Sequence, residues 1–168
     1  ATAYTQKINF KKFGAIAASV NALMLADIAH IAGLIIAKVH PSPFPYADVV
    51  TSTTHKTLRG PRSAFIICKK TLAKQIDRAM FLGLQSGPQN HITAAKAVCF
   101  QEALSAKFAR DQKQTVKNAQ TLAQTLIDQG LKIVAESTEN HLVLIDCQNL
   151  NLSGKQGAEL LAEAAIYT

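Results

Sequence analysis

The chain has no tryptophan, and phenylalanine, tyrosine and tryptophan together make up 6% of it. Its lysines and arginines are scattered rather than clustered. The net charge of +7 therefore reads as a solvated basic surface, and no nucleic-acid footprint is expected. Cysteine is scarce too. Cys68, Cys99 and Cys147 lie far apart with no CxxC pair, which argues against a secreted disulfide framework and fits a reducing cytosol. The five histidines and three cysteines never fall at zinc-ligand spacing. Long apolar runs are missing: the longest, Ile31 to Val39, is interrupted by Gly33 and Lys38 and is too short for a bilayer. The first residues, Ala1-Thr2-Ala3-Tyr4, show no start methionine, no signal core and no cleavage motif. No glycine precedes Lys56-Thr57 at the spacing of a phosphate-binding P-loop. Internal repeats and low-complexity segments are absent.

What remains is the composition of an ordinary soluble globular protein. The chain has 168 residues, 48% of them hydrophobic and 17% charged, enough for one domain or one and a fraction. The pattern predicts an alanine-rich helix over Phe10 to Val20 and buried strands over Ala22 to Asp27, Asp48 to Ser52 and Ala64 to Lys69. Ile28 to Val39 reads as a helix or a turn of one. Three prolines in the five residues Pro41 to Pro45 forbid a regular helix and read as a rigid loop rather than a polyproline ligand. A long helical region is expected from His91 to Gln129. Its second half carries Val116, Ala119, Leu122, Ala123, Leu126 and Ile127 on one stripe, and Gly130 is the natural stop. Two further strands, Leu131 to Ala135 and His141 to Cys147, precede a last helix over Lys155 to Ala164 with Ser153 as its N-cap. Short buried strands separated by helices point to an α/β sheet covered on both faces. The chain begins and stops as though cut within such elements, so a fragment of a longer product is expected.

Polar features cluster where open α/β sheets place their ligands, at strand ends. Asp27 and His30 follow the first strand. Thr53-Thr54-His55-Lys56-Thr57 follows the second. A third loop holds Gly83-Leu84-Gln85-Ser86-Gly87-Pro88. Taken singly, the aspartate is a turn residue, the histidines are structural and the lysine is a surface lysine.

Taken together they resemble the serine hydroxymethyltransferase family. The resemblance is carried by Ala26-Asp27-Ile28-Ala29-His30-Ile31-Ala32-Gly33-Leu34 and by Val49-Val50-Thr51-Ser52-Thr53-Thr54-His55-Lys56-Thr57-Leu58-Arg59-Gly60-Pro61-Arg62, and extends from Ala3-Tyr4 to Asn140-His141-Leu142. It implies the fold-type I architecture of pyridoxal 5'-phosphate enzymes. Residues 1–108 would be part of the cofactor-binding large domain, with a mixed, mostly parallel sheet. Residues 109–168 would supply a connecting helix and the start of a small α+β C-terminal domain. The implied activity interconverts serine and glycine and passes the one-carbon unit to tetrahydrofolate, in a cytoplasmic homodimer whose site is shared between subunits.

The resemblance also implies the roles. Lys56 would condense with the cofactor aldehyde, which needs a deprotonated amine. Asp27 would keep the ring nitrogen protonated, so that the ring draws electrons. His30 and Thr2 would contact the ring oxygen, Thr2 standing where the family has serine. His55, Ser86 and Gly87 would serve the phosphate, the last two across the dimer. Thr53 would help expel product, with Arg62 a nearby cation. The chain departs from the family pattern at Leu84 and Ser86, which replace glycines, at Leu82, which replaces proline, and at Ser63-Ala64, which replaces a glycine pair. Backbone anion cradles want small residues. The ring-stacking aromatic residue, the first phosphate turn and the carboxylate-binding arginine are expected outside this chain. The alternative is a catalytically incomplete remnant that acts only as a folding or interaction protein.

Overall fold

A computed structural model describes residues 2–168. The chain divides into two compact units, one of residue 2 with Lys7–Lys113 and one of Ala3–Gln6 with Gln114–Thr168. Among the described residues no helix is long and apolar enough to cross a membrane.

In the first unit, helix α1 (Phe10–Ser19) starts where the Asn9 side chain accepts from the Lys12 amide. This is the usual way to satisfy an open N-terminal donor. Strand β1 (Leu25–Asp27) is followed by the short helix α2 (Ala32–Ile36), strand β2 (Val49–Thr53) and strand β3 (Ala64–Cys68). The three strands form one sheet in the order β1-β2-β3. β1 and β2 run parallel, with Asp27 opposite Thr51. β2 and β3 run antiparallel, with Thr53 opposite Ala64. The sheet is thus mixed, but the expectation of a mostly parallel sheet is corrected, because one of its two pairings is antiparallel. The expectation of burial on both faces is corrected as well. β3 leaves Ile66 and Ile67, which point to opposite faces, exposed.

Why the two site loops meet follows from the core between them. Ile28, Ile31, Ala32, Leu34 and Ile35 are all buried, as are Val50 and Leu58. Burying such aliphatic side chains contributes roughly 1.5–3 kcal/mol each. This layer draws α2 down onto the segment after β2. The approach is close enough to require glycine: a Cβ at Gly33 would lie 2.4 Å from the Thr57 carbonyl oxygen. At the start of β2, the Asp48 carboxylate accepts from the Met24 amide at 2.7 Å and pairs with Lys69 at 2.7 Å. The Lys69 hydrogen bond first, and the Met24 amide next, hold that carboxyl below its usual range.

Beyond β3 comes helix α3 (Lys70–Met80), then α4 (Asn90–Ala103) and α5 (Ala106–Asp128). α3 was not foreseen in the sequence. The single helical region expected from His91 to Gln129 is broken at Leu104-Ser105, where the Ser105 hydroxyl accepts from the Phe108 amide and opens α5.

In the second unit, Ala119 and Ala123 of α5 are buried while Leu122 is half exposed, so the buried stripe is narrower than expected. Strands β4 (Lys132–Ile133) and β5 (Ile145–Asp146) pair antiparallel. Buried Asn140 donates to the Tyr4 carbonyl at 2.8 Å and accepts from the Leu142 amide at 2.8 Å. The last helix, α6 (Gly154–Glu163), is opened by a capping box between Ser153 and Gln156.

Gly33→Ala should lower stability by about 1–3 kcal/mol, the usual range for overpacking, despite alanine's better helix propensity. Urea denaturation measures it, and an unchanged or raised midpoint would contradict the close approach.

Candidate functional site

All the sequence-predicted site residues lie in the first unit, and most sit on the two connections that leave the carboxyl ends of β1 and β2. Asp27 closes β1. Its carboxylate accepts from the Thr51 hydroxyl of the adjacent strand at 2.9 Å and from the Ala29 amide at 3.0 Å. Two donors on different elements fix the orientation of this exposed carboxylate.

Lys56 sits on the connection between β2 and β3. That connection is folded around fully buried Thr54. The Thr54 amide donates to the Ser63 carbonyl at 2.9 Å and its carbonyl accepts from the Gly60 amide at 2.7 Å. The Thr54 hydroxyl donates to the Pro61 carbonyl. Gly60 must be glycine, because a Cβ there would lie 2.6 Å from the Cys99 sulfur. The loop is therefore rigidly shaped, and the lysine amine emerges from it to donate to the Thr53 hydroxyl at 3.2 Å. Among the described residues no carboxylate forms an ion pair with Lys56, so the amine and the Asp27 carboxylate remain apart.

His30 feels the charges of both. Burial first, then the Lys56 charge, lower its pKa, and the Asp27 carboxylate partly offsets them. His30 and the lysine loop are joined through Thr57, whose hydroxyl donates to the His30 carbonyl at 2.9 Å and accepts from the Gly33 amide at 3.0 Å. The Thr57 carbonyl in turn accepts from the Gln112 side-chain amide of α5 at 3.1 Å. Thr57, Gly33 and Gln112 were not among the candidate residues. The sequence held a signal only for Gly33, a glycine inside an apolar helical run.

A second group gathers on the far side of the loop. His55, Arg62, Ser86 and Gly87 line an open groove of about 910 Å³, together with Phe65 and Lys96. Asp27, His30 and Lys56 do not line it. The two groups are linked through the chain, because His55 precedes Lys56. The His55 Nδ1 atom is buried and has no hydrogen-bond partner, which costs about 1–3 kcal/mol unless something supplies one. A Cβ at Gly87 would meet nothing within 4 Å, so the backbone there is open to approach. Leu82, at the proline position of the family pattern, has φ of 68°, which proline cannot adopt. Thr2 is exposed.

This pairing of an oriented carboxylate with a nearby amine, on adjacent strand ends, can be compared with known proteins. The model of the family described as serine hydroxymethyltransferase matches residues 1–168. The chain belongs to the serine hydroxymethyltransferase family. The serine hydroxymethyltransferase of Methanosarcina barkeri (strain Fusaro / DSM 804) is 56% identical over 167 residues, which cover 99% of this chain and 40% of that protein. The serine hydroxymethyltransferase of Prochlorococcus marinus (strain MIT 9515) is 52% identical over 166 residues, covering 98% of this chain and 39% of that protein. The chain thus spans about two fifths of the length of the curated relatives it matches.

The His30 environment makes a direct test of the geometry. Its NMR titration should have a midpoint below the ordinary 6.5. Because the folded form binds the proton less well, the stability contributed by neutral His30 is present above the ordinary pKa. It is lost as pH falls through the window below it. Lys56→Met should raise the midpoint by removing the second-largest cause. An unchanged midpoint would show that amine and imidazole do not share one site.

Proposed function

We propose that this chain supplies the cofactor-holding part of a pyridoxal-phosphate transferase. In this reading the enzyme interconverts serine and glycine and passes the one-carbon unit to tetrahydrofolate. The observation that carries the reading is the pairing of Asp27 and Lys56 on neighbouring strand ends, the carboxylate oriented by two donors and the amine free of any described ion pair.

The residues fit the cofactor in their chemistry. A carboxylate, an amine and a hydroxyl stand on neighbouring strand ends, and the His55 Nδ1 nitrogen is buried without a partner. Asp27 would face the ring nitrogen and Lys56 would hold the aldehyde. His30 and Thr2 would stand at the ring oxygen. His55, Ser86 and Gly87 would serve the phosphate, the last two from the partner subunit of a homodimer. Thr53, already hydrogen-bonded to the lysine, would assist product release, and Arg62 would add positive charge. When bound, pyridoxal phosphate supplies an amine-capturing aldehyde and an electron-withdrawing ring.

The chain's own residues do the rest. The Asp27 carboxylate, oriented by the Thr51 hydroxyl and the Ala29 amide, would hold a proton at the ring nitrogen. The Thr53 hydroxyl accepts from the lysine ammonium and orients it. The lowered pKa of His30 keeps its imidazole neutral near pH 7, so one ring nitrogen can accept a proton and the other can donate one. The second unit is read as the connecting helix and the start of a small C-terminal domain.

One observation favours a second reading. The loop expected to cradle phosphate places Leu82 in the left-handed region and leaves Leu82 and Leu84 80% exposed. In that reading the chain is a catalytically incomplete remnant that acts through folding or association.

Treating the chain with pyridoxal phosphate and borohydride, then mapping peptides, should locate one reduced adduct on Lys56. Lys56→Arg should abolish it. Labelling spread evenly over the 14 or so lysines of a basic surface, unaffected by that change, would contradict the cofactor site. Assay of serine cleavage with tetrahydrofolate separates the two readings. With the segments expected outside this chain supplied, capture with turnover supports the transferase, and capture without turnover selects the remnant.

A further inference from the structure

We infer that Gln112 is a positioning residue for Lys56: its side-chain amide, anchored in α5, grips the Thr57 carbonyl and so sets the amine of the preceding residue against His30. The inference rests on the cofactor reading above only for its second measurement.

Gln112 is 4% exposed, a rare place for a glutamine on a helix otherwise rich in solvated polar residues. Its Nε2 donates to the Thr57 carbonyl at 3.1 Å. Its Oε1 has no partner although it is buried. Leaving such an acceptor unsatisfied is unfavourable, so packing the interior alone would favour an aliphatic side chain here. The donor half of the amide is what this position uses.

The grip acts at a junction. Thr57 is bonded three ways: by its carbonyl to Gln112, by its hydroxyl to the His30 carbonyl, and by the same hydroxyl to the Gly33 amide. Gly33 leaves no room for the loop to settle inward, since its missing Cβ would lie 3.0 Å from Gln112 Oε1 and 2.4 Å from the Thr57 carbonyl oxygen. Thr57 is thus held from the α5 side and the α2 side at once, and Lys56 precedes it in the chain. On the other side of the lysine, the Thr53 hydroxyl accepts from Nζ. Release of the Gln112 bond removes the α5 restraint on Thr57 and leaves the segment that carries Lys56 held from the α2 side alone.

The test uses the 168-residue chain and Gln112→Met, which keeps the length of the side chain and removes the donor. Phe10→Leu, at a buried ring that packs edge-on to His40, serves as the control for general loss of stability. The first readout needs no cofactor: the His30 titration midpoint, which senses burial and the charges of Lys56, the chain's amino terminus and Asp27. It should rise in Gln112→Met and stay in place in Phe10→Leu at matched melting temperature. The second is the rate of pyridoxal phosphate capture by Lys56, which should fall about tenfold in Gln112→Met alone. If Gln112→Met does not fold, Gln112→Asn, which keeps the amide but shortens its reach, carries the same expectation. A folded variant with both readouts unchanged would overturn the inference, as would an equal shift in Phe10→Leu. Absence of capture in the unsubstituted chain would contradict the cofactor reading and leave the His30 midpoint to decide this one.

Discussion

The structure around the site depends on one hydroxyl. Thr57 Oγ1 donates to the His30 carbonyl and accepts from the Gly33 amide, and so joins the connection after β1 to the connection after β2. The parallel strand pair alone sets Asp27 opposite Thr51, but it says nothing about where the chain goes beyond the strand ends. The part-buried hydroxyl extends the registration by one further turn. A net hydrogen bond contributes only about 0.5–1.5 kcal/mol. Its effect here is one of geometry more than of stability.

Two glycines allow this arrangement and two polar side chains complete it. Gly33 lets α2 approach the Thr57 backbone, and Gly60 lets the lysine loop lie against Cys99. Thr54 closes the loop on itself, and Gln112 reaches it from α5. The result is a lysine on a short, strongly restrained segment, with a carboxylate oriented by two donors on the neighbouring strand end. Its surface partner residues are less constrained. The loop of Ser86 and Gly87 is exposed throughout, and a groove rather than a closed cavity separates it from β3.

Much of this was legible in the sequence. The aspartate, the histidine and the Thr-Thr-His-Lys-Thr run follow strands whose apolar character is plain, and strand ends are where such sheets expose chemistry. Helices α1 and α6 were equally plain, from an alanine-rich stretch in one case and from the N-cap Ser153 in the other. What was not legible required tertiary context. β3 has the apolar residues of a buried strand, yet it exposes Ile66 and Ile67. α3 was hidden by its charges, although Leu72, Ala73, Ile76 and Met80 follow a helical period. The break between α4 and α5 turns on one serine side chain. Gln112 is one polar residue among many on a long helix, and only the fold reveals that it is buried against the lysine loop. Family resemblance supplied the roles of the residues, which spacing alone left open.

The most direct measurement of the Thr57 tie is hydrogen exchange in the chain carrying Thr57→Val, which keeps the shape and removes the hydroxyl. If the two connections are held together by that group, exchange should quicken together at the Gly33 amide and across the lysine loop, including the Gly60 amide, while α6 is unaffected. Acceleration confined to residue 57 and its immediate neighbours, with Gly33 as protected as before, would show that the two connections are placed independently and that the hydroxyl does not join them.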